Sequence, residues 1–323
     1  MDKKVRWGIL GTASIGIEQV IPAMIKGKYC DVRAIASRSK DSAEKVAEHF
    51  HIPGAYGSYE KVLADPEIDA VYIPLPNHLH VPWSIEAIQA GKHVLVEKPV
   101  GLSSEEARRL LDESMKHPEL KVMEAFMYRH HPQWIKAKEL VDSGVIGTLK
   151  TIQSSFSFFD DNPESIVNSK VFGGGSVMDI GCYPISLSRF LFNAEPTKIH
   201  AKLEIHPEFH TDTLATVLLE FEHGTSSFFS STLMPDTQQV EIFGTKGSIE
   251  FELPFNPKAD EPSRIWLCLD DRKEELVFES CDQYTIQGDL FSLAILNDTP
   301  VPTPLQDAVD NMLVIEGIFN HLP

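Results

Sequence analysis

Cysteine is scarce in this chain: four in 323 residues, at positions 30, 182, 268 and 281, with no C-x-x-C spacing. That excludes a disulfide scaffold, and reduced thiols in a cytoplasm are the simple reading. Basic charge is also in the minority. The 29 Lys and Arg against 47 Asp and Glu leave a formal charge of -18, which repels nucleic acid and anionic lipid, so neither is expected as a partner. No apolar run approaches the roughly 18 residues of a spanning helix. The opening MDKKVRWGIL has only a short apolar run, so neither an export signal nor an anchor is expected. Internal repeats and low-complexity tracts are missing too.

What is present is ordinary for a folded, water-soluble protein: 42% hydrophobic and 24% charged residues. The length favours two domains over one large one. From Val5 onward, strand-like runs (VRWGIL, VRAIAS, DAVYIP, HVLVEK, LKVMEA) alternate with helical patterns (GIEQVIPAMIKG, SAEKVAEHF, YEKVLAD, VPWSIEAIQAG, SSEEARRLLDESMKH). This is the rhythm of a parallel, doubly wound α/β sheet of Rossmann type. Pro22 must be absorbed near the start of its helix or kink it. The alternation stops after MEAFMYRHHPQ. One helix, near QWIKAKELVDSG, then leads into strand-like runs with hairpin signals at EHG and TKG, and two helical patterns close the chain. The expected second domain is α+β with an open, mainly antiparallel sheet. The division is drawn at 125/126: residues 1–125 for dinucleotide binding, 126–323 for substrate binding and oligomerisation.

Three stretches carry chemistry. GTASIG, with Gly11, Thr12, Ala13, Ser14, Ile15 and Gly16, follows a strand and opens a helix, where a pyrophosphate can rest on a helix amino end. Ala13 stands where the usual fingerprint has its second glycine. About 20 residues on, where an acidic residue would hold the ribose hydroxyls of NAD, the chain has Ser37, Arg38, Ser39 and Lys40. Two cations and two hydroxyls suit a 2′-phosphate, so NADP is expected over NAD, with NAD use possible. VEKP ends a core strand with Glu97 and Lys98, and Pro99 biases Lys98 towards extended backbone, so that its ammonium is aimed at the crevice beyond the strands' carboxyl ends.

The third stretch is FGGGSVMDIGCYPISLSRFLF. Its glycines at 173–175 permit close approach or a sharp turn, and Ser176 is a good helix cap. Asp179 and Tyr183 share a face if the segment is helical throughout, but Pro184 either kinks that helix or marks one that begins near Cys182. His78, His80, His130 and His131 have no third ligand at zinc spacing, so no metal is expected. Arg129 is a candidate for cofactor or substrate anions, with a surface cation the equal alternative. FFDDNPES, residues 158–165, is read as a substrate-facing or mobile loop or as solvated acidic surface.

WGILGTA, PNHLH, VEKP and GGGSVMDIGCYP, in this order, resemble the glucose-fructose oxidoreductase, inositol dehydrogenase and MocA (Gfo/Idh/MocA) superfamily along essentially the whole chain. The resemblance implies a Rossmann domain, an antiparallel sheet domain that often carries a homodimer or homotetramer interface, and hydride transfer between a nicotinamide and a carbinol carbon of a sugar, polyol or related diol. It puts Lys98 beside nicotinamide and substrate, Glu97 at the cofactor ribose, and Pro76, Asn77 and His80 along the cofactor crevice. Tyr183 stands where inositol dehydrogenases have His, which resembles the branch of dihydrodiol dehydrogenases, xylose dehydrogenases and sugar ketoreductases. On this reading Tyr183 is acid and base, its ionisation brought down from about 10 by Lys98. Asp179 then orients substrate hydroxyls or Lys98. A cofactor-binding regulator without turnover and a glycosidase that borrows the nicotinamide are the competing readings.

Overall fold

The computed structural model describes residues 3–320, which resolve into two compact units, one of residues up to 127 with 282–309, the other of residues 128–281 with those from 310 onward. The change of unit at 127/128 lies two residues from the division drawn at 125/126, and residues 282–309 pack with the first unit.

In the first unit, strands β1 (Val5–Leu10), β2 (Cys30–Ala36), β3 (Gly54–Tyr56), β4 (Ala70–Ile73), β5 (His93–Val96) and β6 (Val122–Glu124) form a sheet in the order β3-β2-β1-β4-β5-β6. All pairs are parallel. The connecting helices are α1 (Ile21–Lys26), α2 (Lys40–Phe50), α3 (Tyr59–Leu63), α4 (His80–Gln89) and α5 (Ser104–Lys116). Strand order reverses between β1 and β4, so the loops after these two strands flank the crevice where doubly wound sheets bind ligands. Near-continuous apolar strands follow from burial of both faces: every residue of β4 is buried. Trp7, Ile9, Tyr72, Leu95 and Met123 stand in one core with Phe291 of a late helix, α8 (Gln283–Leu296), and Trp7 Nε1 donates to Ser292 Oγ at 3.1 Å.

The second unit begins with α6 (Pro132–Asp142) and has eight strands: β7 (Leu149–Phe159), β8 (Lys198–Ile205), β9 (Asp212–Phe221), β10 (Gly224–Ser231), β11 (Leu233–Gly244), β12 (Gly247–Phe251), β13 (Ser263–Leu269) and β14 (Arg272–Phe278). Their order is β14-β13-β12-β11-β7-β10-β9-β8, antiparallel throughout except for the parallel pair β7 and β10. The turns EHG and TKG are the β9–β10 and β11–β12 hairpins. Helix α7 (Cys182–Phe192) packs against β7. The last helix, α9 (Leu305–Phe319), starts in the first unit and ends in the second.

Both awkward prolines find the same solution. Pro22 is the second residue of α1 and Pro184 the third of α7, and each α-helix is preceded by a wider π-helical turn, Gly16–Val20 and Val177–Gly181. A proline has no N–H to give the helical ladder, and in both runs the wide π turn stands directly before it, where the regular i to i−4 pattern is already interrupted.

Candidate active site

In the first unit the phosphate loop leaves β1 through Gly11, whose φ is +132° and whose N–H donates to Ala36 O at 2.9 Å. A Cβ there would meet Leu75 Cδ2 at 3.1 Å and Pro74 O at 3.5 Å. Glycine is needed both for the dihedral and for the space. Gly16 is buried at the start of the π turn, Ile15 packs on the core, and Ile17 N–H donates to Ala13 O at 3.1 Å. A backbone held this close to the β4 loop, opening a helix, fits a dinucleotide pyrophosphate.

The segment after β2 divides its tasks. Ser37 is buried, with its N–H on Tyr56 O, and its Oγ accepts from Ser39 N at 3.4 Å. Ser39 caps α2, its Oγ accepting from Ser42 N at 3.3 Å. Lys40 pairs with Glu44 at 3.0 Å on the exposed helix surface. Arg38 is exposed.

The EKP loop is held on all sides. Glu97 is buried: its N–H donates to Ile73 O at 3.2 Å, and its Oε1 accepts from Tyr72 Oη at 2.7 Å. Glu97 Oε2 accepts from the Lys98 N–H at 3.2 Å. The Lys98–Pro99 peptide is cis. Pro99 O lies 2.8 Å from His80 Nδ1, Val100 N–H donates to Glu124 Oε1 at 2.7 Å, and Leu102 N–H donates to Glu106 Oε2 at 2.8 Å. Side chains from β4, α4, β6 and α5 thus fix the backbone on both sides of Lys98, the support an aimed side chain requires.

His80 is 1% exposed, and its Nε2 lies 2.6 Å from Leu75 O. Two carbonyls facing one ring would suit an imidazolium, yet burial first, and the Lys98 charge besides, hold its pKa down to about 4, so the neutral ring serves as donor to one carbonyl at a time. Both ring nitrogens are occupied by the loops after β4 and β5, so His80 ties these loops together and offers no nitrogen to a ligand. Pro76 and Asn77 stand in that β4 loop, Asn77 opening a 3-10 turn (Asn77–Leu79). Tyr284 of α8 was not anticipated from the sequence. Burial raises its phenol, the Glu97 carboxylate adds to the effect, and the Lys98 ammonium opposes it. That places Tyr284 within electrostatic reach of the EKP pair.

In the second unit Tyr183 is 5% exposed, its ring packed against Tyr128, Phe156 and Phe255 with centroids 5.8, 5.6 and 5.3 Å away. Three rings leave its phenol little freedom of direction. Asp179 lies in the π turn one residue group earlier, its N–H on Gly175 O at 3.0 Å. The expected cap does not form: Ser176 makes no side-chain cap. Its hydroxyl donates instead to Asp212 Oδ2 at 2.7 Å, and that same oxygen accepts Val177 N–H at 2.8 Å. The capping carboxylate therefore comes from the start of β9. Arg129 donates to Ser186 Oγ and O at 3.0 and 3.1 Å and lies over the Phe190 ring at 5.3 Å, which makes it a brace of α7. In residues 158–165, Asp160 and Asn162 accept backbone N–H groups within the loop, and Asn168 donates to their carbonyls.

Among the described residues no group of three or more His, Cys, Asp or Glu could hold a metal ion, and no helix is long and apolar enough to cross a membrane.

Residues 5–126 match the family model for the oxidoreductase family with an NAD-binding Rossmann fold, and residues 134–250 match the Gfo/Idh/MocA C-terminal domain. The chain belongs to the Gfo/Idh/MocA family. It is 43% identical to an uncharacterised oxidoreductase of Rhizobium meliloti, covering 97% of this chain and 96% of the other. Identity to an NADP(+) D-xylose 1-dehydrogenase of Haloferax volcanii is 36%, over 97% and 96% of the two chains. A 3-ketoreductase from Actinomadura kijaniata, solved with NADP and TDP-benzene, superposes with a TM-score of 0.90 at 28% identity, covering 98% of each chain. The protein is thus an NAD(P)-binding oxidoreductase with sugar dehydrogenases and ketoreductases among its relatives.

Within this Gfo/Idh/MocA chain, no sequence motif marks Tyr72, Glu124, Tyr284 or Asp212. Tyr72 and Glu124 sit inside strands whose other residues are apolar, and a polar group there is a signal that burial makes meaningful. Asp212 is separated from the helix it caps by more than 30 positions in sequence, and no local pattern records such a pairing.

Proposed function

We propose that the protein is an NADP-preferring oxidoreductase acting at a secondary alcohol or carbonyl carbon of a sugar, polyol or trans-dihydrodiol. The observation that carries this reading is the loop of residues 97–102, whose backbone is tied by Glu97, His80, Glu124 and Glu106 so that Lys98 is presented from a fixed base. The nicotinamide, when bound, takes or gives the hydride. Gly11, Thr12, Ala13, Ser14, Ile15 and Gly16 hold its pyrophosphate on backbone amides, Pro76 and Asn77 line the crevice, and Glu97 serves the ribose. Tyr183 takes the proton from the substrate hydroxyl in oxidation and returns it in reduction, working as general acid and base. The Lys98 ammonium donates to the substrate oxygen and favours the phenolate. Asp179 orients substrate hydroxyls.

Preference for NADP rests on Arg38, the exposed cation of the β2 turn, whose planar guanidinium suits a 2′-phosphate. Lys40, already paired with Glu44, is the lesser contributor. The NADP-dependent xylose dehydrogenase and the ketoreductase solved with NADP support the same choice. The first unit, which includes residues 282–309, is the cofactor half, and the second unit is the substrate half. Cytoplasmic residence accords with four free cysteines. A homodimer or homotetramer forms through the second unit's sheet, a reading supported by a groove across β7, β9, β10 and β11 lined by Leu214, Phe229 and Met234.

Two measurements test the reading. Titration should give NADP the lower dissociation constant, with Arg38→Ala removing about a tenfold to hundredfold part of the preference, as expected for a charge-assisted phosphate contact. A panel of aldoses and polyols led by D-xylose should reduce NADP. Tighter NAD binding, or no turnover across the panel in either direction, overturns it.

A further inference from the structure

Asp212 is 2% exposed at the first position of β9. Among the described residues its carboxylate is met by neutral donors: Ser176 Oγ at 2.7 Å and Val177 N at 2.8 Å, with further bonds from the backbone N–H of Ser176 and of Asp212 itself. Among the described residues no Lys, Arg or His side chain forms an ion pair with it. Burial pushes the carboxyl up to about 6 against these hydrogen bonds. A carboxylate kept this dry without a cation is costly to ionise.

The surroundings pack closely on this carboxylate. Gly175 has φ +114°, and a Cβ on it would lie 2.1 Å from Asp212 Oδ1. The same turn is fastened from its other side, with Gly174 N–H on Ser169 O at 2.9 Å and Gly175 N–H on Val167 O at 2.8 Å. Ser176 Oγ also lies 3.1 Å from both O and Oγ of Ser230 on β10. One turn later a Cβ on Gly181 would meet Ser230 Oγ at 3.0 Å. Helix, turn and strand are thus drawn together at one carboxylate, which also satisfies an orphan amide of the helix amino end. The helical run that begins there bears Asp179 and, after the wide π turn, Tyr183.

We propose that Asp212 is a positioning residue, a buried anionic cap that sets the height and rotation of the helical run on which Asp179 and Tyr183 stand. The proposal rests on the reading of Tyr183 as the acid and base. Asp212 reaches the reaction through the helix, so its removal changes turnover more than cofactor affinity, because the phosphate loop belongs to the other unit.

The test compares Asp212→Asn, which keeps one oxygen for Val177 N–H, with Asp212→Ala, which keeps none. In the full-length protein with NADP and D-xylose, the Ala variant should lose about 100-fold in kcat, the cost of a misplacement near one ångström, with the Asn variant restoring about tenfold of it and the NADP dissociation constant held within threefold. Hydrogen exchange needs no substrate: amides of residues 176–183 should exchange at least about tenfold faster in the Asn variant, while those of β10 keep their protection. Unchanged exchange at 176–183 overturns the proposal, as does a kcat per folded enzyme equal to wild type. Tyr183→Phe separates the two readings. If it abolishes turnover while Asp212→Ala does not, the positioning role alone fails; if it leaves turnover intact, the acid and base reading fails first.

Discussion

Gly175→Ala should unfold the second unit far more readily than an ordinary Gly→Ala change, because two independent costs coincide. An L side chain at φ +114° carries backbone strain of about 1–2 kcal/mol. The new methyl would also sit 2.1 Å from Asp212 Oδ1, so the carboxylate must turn or shift, which strains the bonds that its Oδ2 accepts from Ser176 and Val177; losing one costs about 1.5–3 kcal/mol for a charged acceptor. Together the loss is about 2.5–5 kcal/mol. Gly144→Ala provides the control, since Gly144 also has a positive φ, +71°, but nothing lies within 4 Å of its Cβ position. Only the strain remains there, about 1 kcal/mol. Urea unfolding followed by tryptophan fluorescence measures both, since Trp134, fully buried in the second unit, reports its loss of packing. Equal costs for the two variants would refute the close packing of turn and carboxylate on which the proposed role of Asp212 rests.

Further outcomes follow from groups that the site holds dry. Glu124→Ala leaves the Val100 amide without its carboxylate and should cost about 1–3 kcal/mol with a parallel loss of turnover, whereas Glu124→Gln, which keeps an acceptor, should lose less than about 1 kcal/mol; equal costs by denaturation would count against the loop clamp. His130 and His131 are both held down to about 4, chiefly by burial. The stability they contribute is present above the unfolded histidine value of about 6.5 and is lost as pH falls through about 4, so the melting temperature should drop across that window. Asp212 runs the other way: its raised carboxyl stabilises the fold at low pH and loses that contribution as pH rises through about 6. The melting temperature of Asp212→Asn relative to wild type should therefore be higher above pH 6 than near pH 4, and a difference that ignores pH would mean that the carboxylate is solvated.

The strand and helix alternation of the first unit was legible because both faces of its sheet are buried, which writes nearly continuous apolar runs such as AVYI and HVLV between amphipathic helices. The hairpins of the second unit were legible at EHG and TKG because a short turn ending in glycine between two strand-like runs is a local signal. Pairings across long stretches of sequence were not. The parallel contact of β7 with β10 joins residues more than 70 positions apart, and the return of α8 to the first unit leaves no trace in its own periodicity. In the site, the motif glycines and the EKP loop announced themselves, while the cap did not. Ser176 is the residue that local rules would choose, but a buried carboxylate offers the amide a stronger acceptor and turns the serine into its donor. His80 illustrates the same limit: histidine in a crevice motif reads as a ligand contact, whereas two carbonyls at 2.8 and 2.6 Å make it a tie between loops.

That Lys98 and Tyr183 serve one hydride transfer is tested most directly by a double-mutant cycle on kcat, using Lys98→Met, Tyr183→Phe and the combined variant with NADP and the best aldose of the panel. Each single change should lower kcat by about 100-fold or more with NADP affinity within threefold, and the double should fall no more than about tenfold below the worse single, because the two groups act on the same transition state. Losses that multiply in full, or a single variant with near wild-type turnover, would contradict it.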